Sequence, residues 1–274
     1  MSTPTDRDGL APDLLRVVAG SRLYGTSTTG SDHDEFAVFA ETAAQVLGLA
    51  PRTDHRSMRT AGTGNRSGID DVDVTAYSLH KVLALAMAGN PNALIPLFAA
   101  GPAVLEATEV GTGLLGLTPH VVSVHAARRL LGYGLDQRDR LLGGGRRSNV
   151  PKRPELVAAH GHDVKYAGHA LRLPLQGLEL VATGALALPM PAATRDAVLA
   201  VRTGQVNLAG ALALIDDASA RLDRALGMWR PGHGALPESP DWDLVNAWLV
   251  DAYPRVWEQA EALPAPAPRT QLPV

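Results

Sequence analysis

The spacing of apolar residues changes character near residue 115, and that change limits the folds open to the chain. Upstream, short apolar runs are punctuated by Gly, Ser and Asp; downstream, Ala and Leu recur at helical spacing. A mixed strand-and-helix part followed by an all-helical part satisfies both patterns. In the first part EFAVFAE, with its Phe36 and Val38 alternation, reads as a strand, and DVDVTAYS reads as a second. DLLRVVAGSR reads as a helix or strand running into a Gly-Ser turn. SLHKVLALAMAG has apolar residues at 79, 82, 83, 86 and 87, the spacing of an amphipathic helix, which Gly89, Asn90 and Pro91 end. The polar, Gly-rich stretch 51–69 is expected to be a surface loop between the strands.

In the second part Thr118 can cap a helix that begins at Pro119 and runs to Leu142, where GGGRRSN breaks it. PELVAAHGHDVKYAGHALRL is expected to form the next helix, from Pro154 to a stop before Pro174. Further helices are expected over 192–203, 207–227 and 240–262, and the Pro-rich residues 263–274 read as an extended tail. The expected organisation is an α+β domain over 1–115 and a helical domain over 116–262, in line with about 150 residues per domain for a chain of 274.

A hydrophobic share of 46% and a charged share of 19% belong to a folded protein, and no apolar run approaches the roughly 20 residues of a membrane helix. MSTPTDRDGL does not read as a secretion leader, so the cytoplasm is the expected location. With no cysteine, a thiol nucleophile, an iron–sulfur cluster and cysteine-ligated zinc are excluded. His160, His162 and His169 lack the spacing of a zinc site. The net charge of −3 argues against a uniformly basic surface, yet residues 120–172 hold ten Lys or Arg against four acids.

The chemistry concentrates in Gly20-Ser21-Arg22-Leu23-Tyr24-Gly25, followed by Ser31-Asp32-His33-Asp34 and a strand. Carboxylates at i and i+2 project to one face, where both can hold an oxygen-seeking divalent cation, and His33 between them points to the other side. The Gly-Ser turn offers main-chain N–H groups and a hydroxyl to phosphate. Asp73 opens the later strand, with Asp70 and Asp71 as rivals for a third carboxylate. Three clustered carboxylates beside a phosphate-gripping turn are the requirements of two-metal phosphoryl or nucleotidyl transfer.

These residues resemble the DNA polymerase β-like nucleotidyltransferase superfamily, whose signature is a Gly-Ser turn, a spacer, Asp-x-Asp and a distant third Asp. GSRLYG, SDHDEFAVF, DVTAYSLHKVLALAMAGNPNALIPLF and HDVKYAGHALRL further resemble a subgroup found beside RNA ligases in bacteria and carried by phages, over roughly 18–110 and 118–205. The resemblance implies a polymerase-β-like core, a mixed sheet with flanking helices, closed by the helical domain. It implies that Gly20 and Ser21 bind the β- and γ-phosphates of an NTP and that Asp32 and Asp34 hold two Mg²⁺ ions, with Mn²⁺ as a substitute. Asp73, which precedes its strand as in the subgroup, completes the set beside the acceptor hydroxyl. Arg22 and Tyr24 match the subgroup's turn, as phosphate contacts or as loop packing.

His162, Lys165, His169 and Arg172 are spaced by three, four and three, which puts them on one helix face. On this reading Lys165 reaches the triphosphate, His169 and Arg172 orient it or the base, and Tyr133 of the preceding helix stacks on a base. Arg129, Asp136 and Arg140 share the Tyr133 stripe. The loop 143–153 is a candidate nucleic-acid contact. The expected reaction moves an NMP from an NTP to an acceptor hydroxyl, an RNA or tRNA end first, with a protein or small-molecule hydroxyl as the alternatives. The rival from a different class is a non-catalytic nucleotide-binding or antitoxin-like relative.

Overall fold

Alternating apolar residues drive the sheet's inner strands, and their pairing sets everything downstream. The computed structural model describes residues 13–61, 68, 70–144 and 153–262. The first part comprises β1 (Asp13–Val18), α1 (Gly20–Tyr24), β2 (His33–Phe39), α2 (Ala43–Val46), β3 (His55–Arg59), β4 (Val72–Ser78), α3 (Leu79–Met87), α4 (Pro91–Leu94), β5 (Val104–Ala107) and α5 (Glu109–Gly116). The strands form one mixed sheet in the order β3-β4-β2-β1-β5, with β2 and β4 parallel and the other pairs antiparallel. The helical part comprises α6 (Thr118–Val121), α7 (Val124–Leu141), α8 (Pro154–His160), α9 (Val164–Thr183), α10 (Ala192–Arg202), α11 (Leu208–Met228) and α12 (Trp242–Ala262). None of the described helices is long and apolar enough to cross a membrane. Arg146, Arg147 and Lys152 of the basic loop, and the tail 263–274, lie outside the described residues.

DLLRVV is a strand. Part of the expected loop 51–69 is the edge strand β3, whose HRSMR sequence has no apolar alternation because its side chains are largely exposed. The helix expected over 119–142 breaks at Val122 and Ser123, both in extended conformation. Three neighbouring valines are buried there, and the Val124 N–H donates to the Pro237 carbonyl at 2.9 Å in place of a helical bond. The helix expected over 154–173 is two helices. Gly161, at φ 77°, ends α8, and the Asp163 carboxylate caps α9 by accepting from the Lys165 and Tyr166 N–H groups at 3.0 and 3.1 Å. His162 therefore precedes the helix that carries Lys165, His169 and Arg172. That helix continues through Pro174 to Thr183. Opposite the proline stands Gly134 of α7, where a Cβ would meet Pro174 Cδ at 3.0 Å, so glycine lets the two helices approach closely.

One apolar core joins the two parts, from Leu15, Val17 and Phe36 of the sheet through Leu130 and Leu173 to Val256 of α12. A polar lock reinforces it. The fully buried Glu41 carboxylate accepts from the Tyr253 hydroxyl and pairs with Arg52 at 3.0 Å, while Trp257 Nε1 donates to the Glu41 carbonyl at 2.9 Å. Burial alone would raise the Glu41 pKa; the donors from Tyr253 and Arg52 outweigh it and hold the carboxyl below its ordinary value. Its stabilisation is complete above the unfolded carboxylate's pKa and is lost as pH falls through the lower folded value. Tyr253→Phe removes one donor from a buried charge and is expected to cost about 1–3 kcal/mol in urea unfolding. It should also move the acid-unfolding midpoint to higher pH; an unchanged acid limb would refute this account of the lock.

Candidate active site

The parallel register of β2 and β4 sets Asp34 directly beside Asp73. Asp32, two residues earlier, joins them from the turn that feeds β2, and oxygens of the three half-buried carboxylates lie within 4.8 Å of one another. Burial, then repulsion from Asp32 and Asp73, raises the Asp34 pKa. Asp71 is engaged elsewhere: it accepts from Thr60 Oγ1 at 2.7 Å and the Gly68 N–H at 2.8 Å. Asp73 also pairs with Arg59 of β3 at 3.0 Å.

The residue opening α1 must be glycine. Gly20 has φ 57°, and a Cβ there would fall 2.0 Å from Asp34 Oδ2. The Asp34 carboxylate thus lies against the bare Cα of the turn, while the Ala19 N–H donates to the Asp34 carbonyl at 2.8 Å. Ser21 is buried, and its hydroxyl has no hydrogen-bond partner among the described residues. Arg22 donates to the carbonyls of Asp32 and Ser31 at 3.3 and 3.5 Å, tying the Asp32 turn to α1. His33 points away from the carboxylates, with Nε2 at 3.9 Å from Glu35.

Cations face this acid cluster from the helical part. Lys165 of α9 and Arg202 of α10 are half-buried, and the side chain of neither makes a hydrogen bond or a close ion pair among the described residues. Burial pushes both pKa values down, and Asp32 pulls both back up, so each feels the cluster without touching it. Arg153 adds positive charge to this group while paired with Asp163 at 3.2 Å. His169 is not a cation at neutral pH: burial, then Arg172, Arg202, Arg153 and Lys165, lower its pKa to about 3. Arg172 is buried, stacked 4.0 Å from the Tyr24 ring centre, with Gln176 Oε1 and His169 Nδ1 as its other partners.

Beside the acid cluster lies a cleft of about 540 Å³, lined by Gly20, Tyr24, Asp34, Asp73, Tyr77, Asn92, Tyr133, Asp136, Arg140, His169 and Arg172 among others. Sequence reasoning missed Arg59 and Arg202. For Arg202 a signal was present in the mid-helix Gly168 of α9, where a Cβ would meet Arg202 Cβ at 3.2 Å. For Arg59 there was none, because its link to Asp73 exists only through strand pairing.

The RNA repair pathway DNA polymerase beta family matches residues 11–251. The chain belongs to that family. An uncharacterized 38.9 kDa protein of Enterobacteria phage T4, from the nrdC-mobD intergenic region, is 39% identical over 81 residues. That match spans 30% of this chain and 24% of the phage protein. The family match takes in the carboxylate cluster, the Gly20 turn and both helices that bring the cations.

Two outcomes follow from the geometry. Gly20→Ala should displace the Asp34 carboxylate and lower any divalent-cation affinity measured by calorimetry while the protein remains folded; a parent affinity left intact by the substitution would contradict the contact. His169 titrates near 3 when folded and near 6.5 when unfolded, so the unfolded chain takes up the proton first and stability falls as pH drops from about 6.5 towards 3. His169→Gln should flatten that limb in denaturation measured between pH 7 and 4.

Proposed function

We propose that the chain is a divalent-metal-dependent nucleotidyltransferase that moves an NMP from an NTP to an acceptor hydroxyl, an RNA end being the acceptor ranked first. One observation carries the reading: the convergent carboxylates Asp32, Asp34 and Asp73, two of which line a cleft large enough for a nucleotide, lie within electrostatic reach of Lys165 and Arg202, whose side chains have no close partner among the described residues. The donor set suits Mg²⁺ or Mn²⁺, since it consists of hard oxygen ligands only, and three acids this close repel one another unless a cation sits among them. Asp32 and Asp34 would hold both ions, and Asp73 the one on the acceptor side. When bound, such ions lower the pKa of the attacking hydroxyl and offset charge on the leaving pyrophosphate.

The chain's own groups supply the rest. Lys165 and Arg202, desolvated and without carboxylate partners, take the β- and γ-phosphates and stabilise the charge that grows there as the Pα–O bond to pyrophosphate breaks. Gly20 leaves room for the phosphates to approach the turn, and the Ser21 hydroxyl is a donor for them. Arg22 positions the Asp32 turn. Arg172 holds Tyr24 and the cleft wall in place, neutral His169 offers the nucleotide a ring nitrogen rather than a charge, and Tyr133 stacks on a base. The new bond joins the acceptor oxygen to the α-phosphorus, and the hydroxyl proton passes to solvent. The RNA acceptor is supported by the family's RNA repair description and by the local charge surplus of residues 120–172.

The test is incubation with each α-labelled NTP, Mg²⁺ or Mn²⁺ and total RNA, following label into RNA, protein and small molecules. Label should enter RNA and disappear with Asp32→Asn or Asp34→Asn. Label entering protein or a small molecule instead would replace the acceptor, and NTP binding without any transfer would favour the non-catalytic reading. Arg202→Ala should raise the KM for NTP by roughly 10- to 100-fold, the equivalent of about 1.5–3 kcal/mol for one hydrogen bond to a charged group.

A further inference from the structure

We propose that the exposed face of α7 beside the cleft is the entry track for a single-stranded polyribonucleotide acceptor, with Arg128 and Arg129 holding its backbone and Tyr133 stacking on the base nearest the carboxylates. The inference rests on the nucleotidyltransferase reading and names where the acceptor of that reaction lies.

Four arginines of α7 divide into two kinds. Arg138 is clasped by Asp216 at 2.6 and 3.1 Å, and Arg140 by Asp136 at 2.8 Å, so their charges are spent within the protein. Arg128 and Arg129 are exposed, and neither has a hydrogen bond or a carboxylate within 4 Å among the described residues. Each instead lies over an aromatic ring, Arg128 at 5.9 Å from the Trp229 centre and Arg129 at 5.3 Å from that of Tyr133. Two neighbouring guanidinium groups, spread on rings with their N–H edges free, combine the cations and flat apolar faces that single-stranded nucleic acid uses.

The patch is also connected to the chemistry. A second, more open cavity of about 510 Å³ is lined by Arg128, Arg129, Gly132, Tyr133 and Asp136. Tyr133 and Asp136 also line the cleft that contains Asp34 and Asp73. A strand lying over Arg128 and Arg129 therefore passes Tyr133 on its way to the carboxylates. The space over Gly132 is open, since a Cβ there would meet no atom within 4 Å. Stacking requires exposed base faces, which a duplex does not offer, so the occupant is a single strand.

The experiment measures binding of a fluorescent single-stranded RNA of about a dozen nucleotides by anisotropy, across a salt series, to the full chain and to Arg128→Glu/Arg129→Glu and Tyr133→Ala variants. The double variant should bind RNA at least tenfold more weakly and reduce the slope of log affinity against log salt by about one per arginine. Tyr133→Ala should weaken binding while leaving the slope unchanged. The double variant should melt at the temperature of the parent and bind NTP as the parent does, because both arginines are exposed. Unchanged RNA affinity and slope in the double variant, or a preference of the parent for duplex over single strand, would overturn the track. If the parent labels RNA and the double variant labels it equally well, the track fails while the transferase reading stands; if the parent labels no RNA, the acceptor reading itself fails.

Discussion

Three carboxylates within 4.8 Å of one another repel, and most of the core fold can be understood as the means of holding them there. The parallel pairing of β2 and β4 places Asp34 against Asp73 without any side-chain contact having to do so. The bare Cα of Gly20 receives the Asp34 carboxylate, and Arg22 fastens the Asp32 turn by its main chain. Main-chain pairing supplies the constraint because it does not weaken when the side chains it positions are unfavourably charged. Burial first, and then that repulsion, raises the Asp34 pKa.

The helical part answers the acids with cations held short of contact. Closer approach would turn Lys165 and Arg202 into ion-pair partners of Asp32; their separation leaves both kinds of charge unspent within the protein. Burial works against these cations, as their lowered pKa values show. His169, inside the same cluster, is held neutral by burial and then by its cationic neighbours, and fills space there without adding repulsion.

The carboxylates and the Gly-Ser turn could be read from the sequence because their signature is local, and the strand carrying Asp34 has a buried face that leaves an apolar pattern. The edge strand β3 could not, since exposure on its outer side erases the alternation on which such reading depends. Arg59 was hidden for the same reason, its partner Asp73 being fourteen residues away across a strand pair. The continuous helices expected around 122 and 161 failed where tertiary contact overrode periodicity: the Val124 N–H finds Pro237, and Gly161 with Asp163 ends one helix and caps the next. His162 consequently left the stripe of which its spacing had made it a member.

Close helix packing connects these observations. Gly134 against Pro174 sets the approach of α7 to α9, and Gly168 against Arg202 that of α10 to α9. The first brings Tyr133 to the cleft, one residue before the glycine; the second brings Arg202 towards Asp32, across the turn from Lys165. Small residues at helix crossings thus determine how far the cations and the aromatic wall stand from the carboxylates, and a larger residue at either position would open the cleft before it disturbed the sheet. The same α7 that is pinned on its inner side at Gly134 presents Arg128 and Arg129 outward.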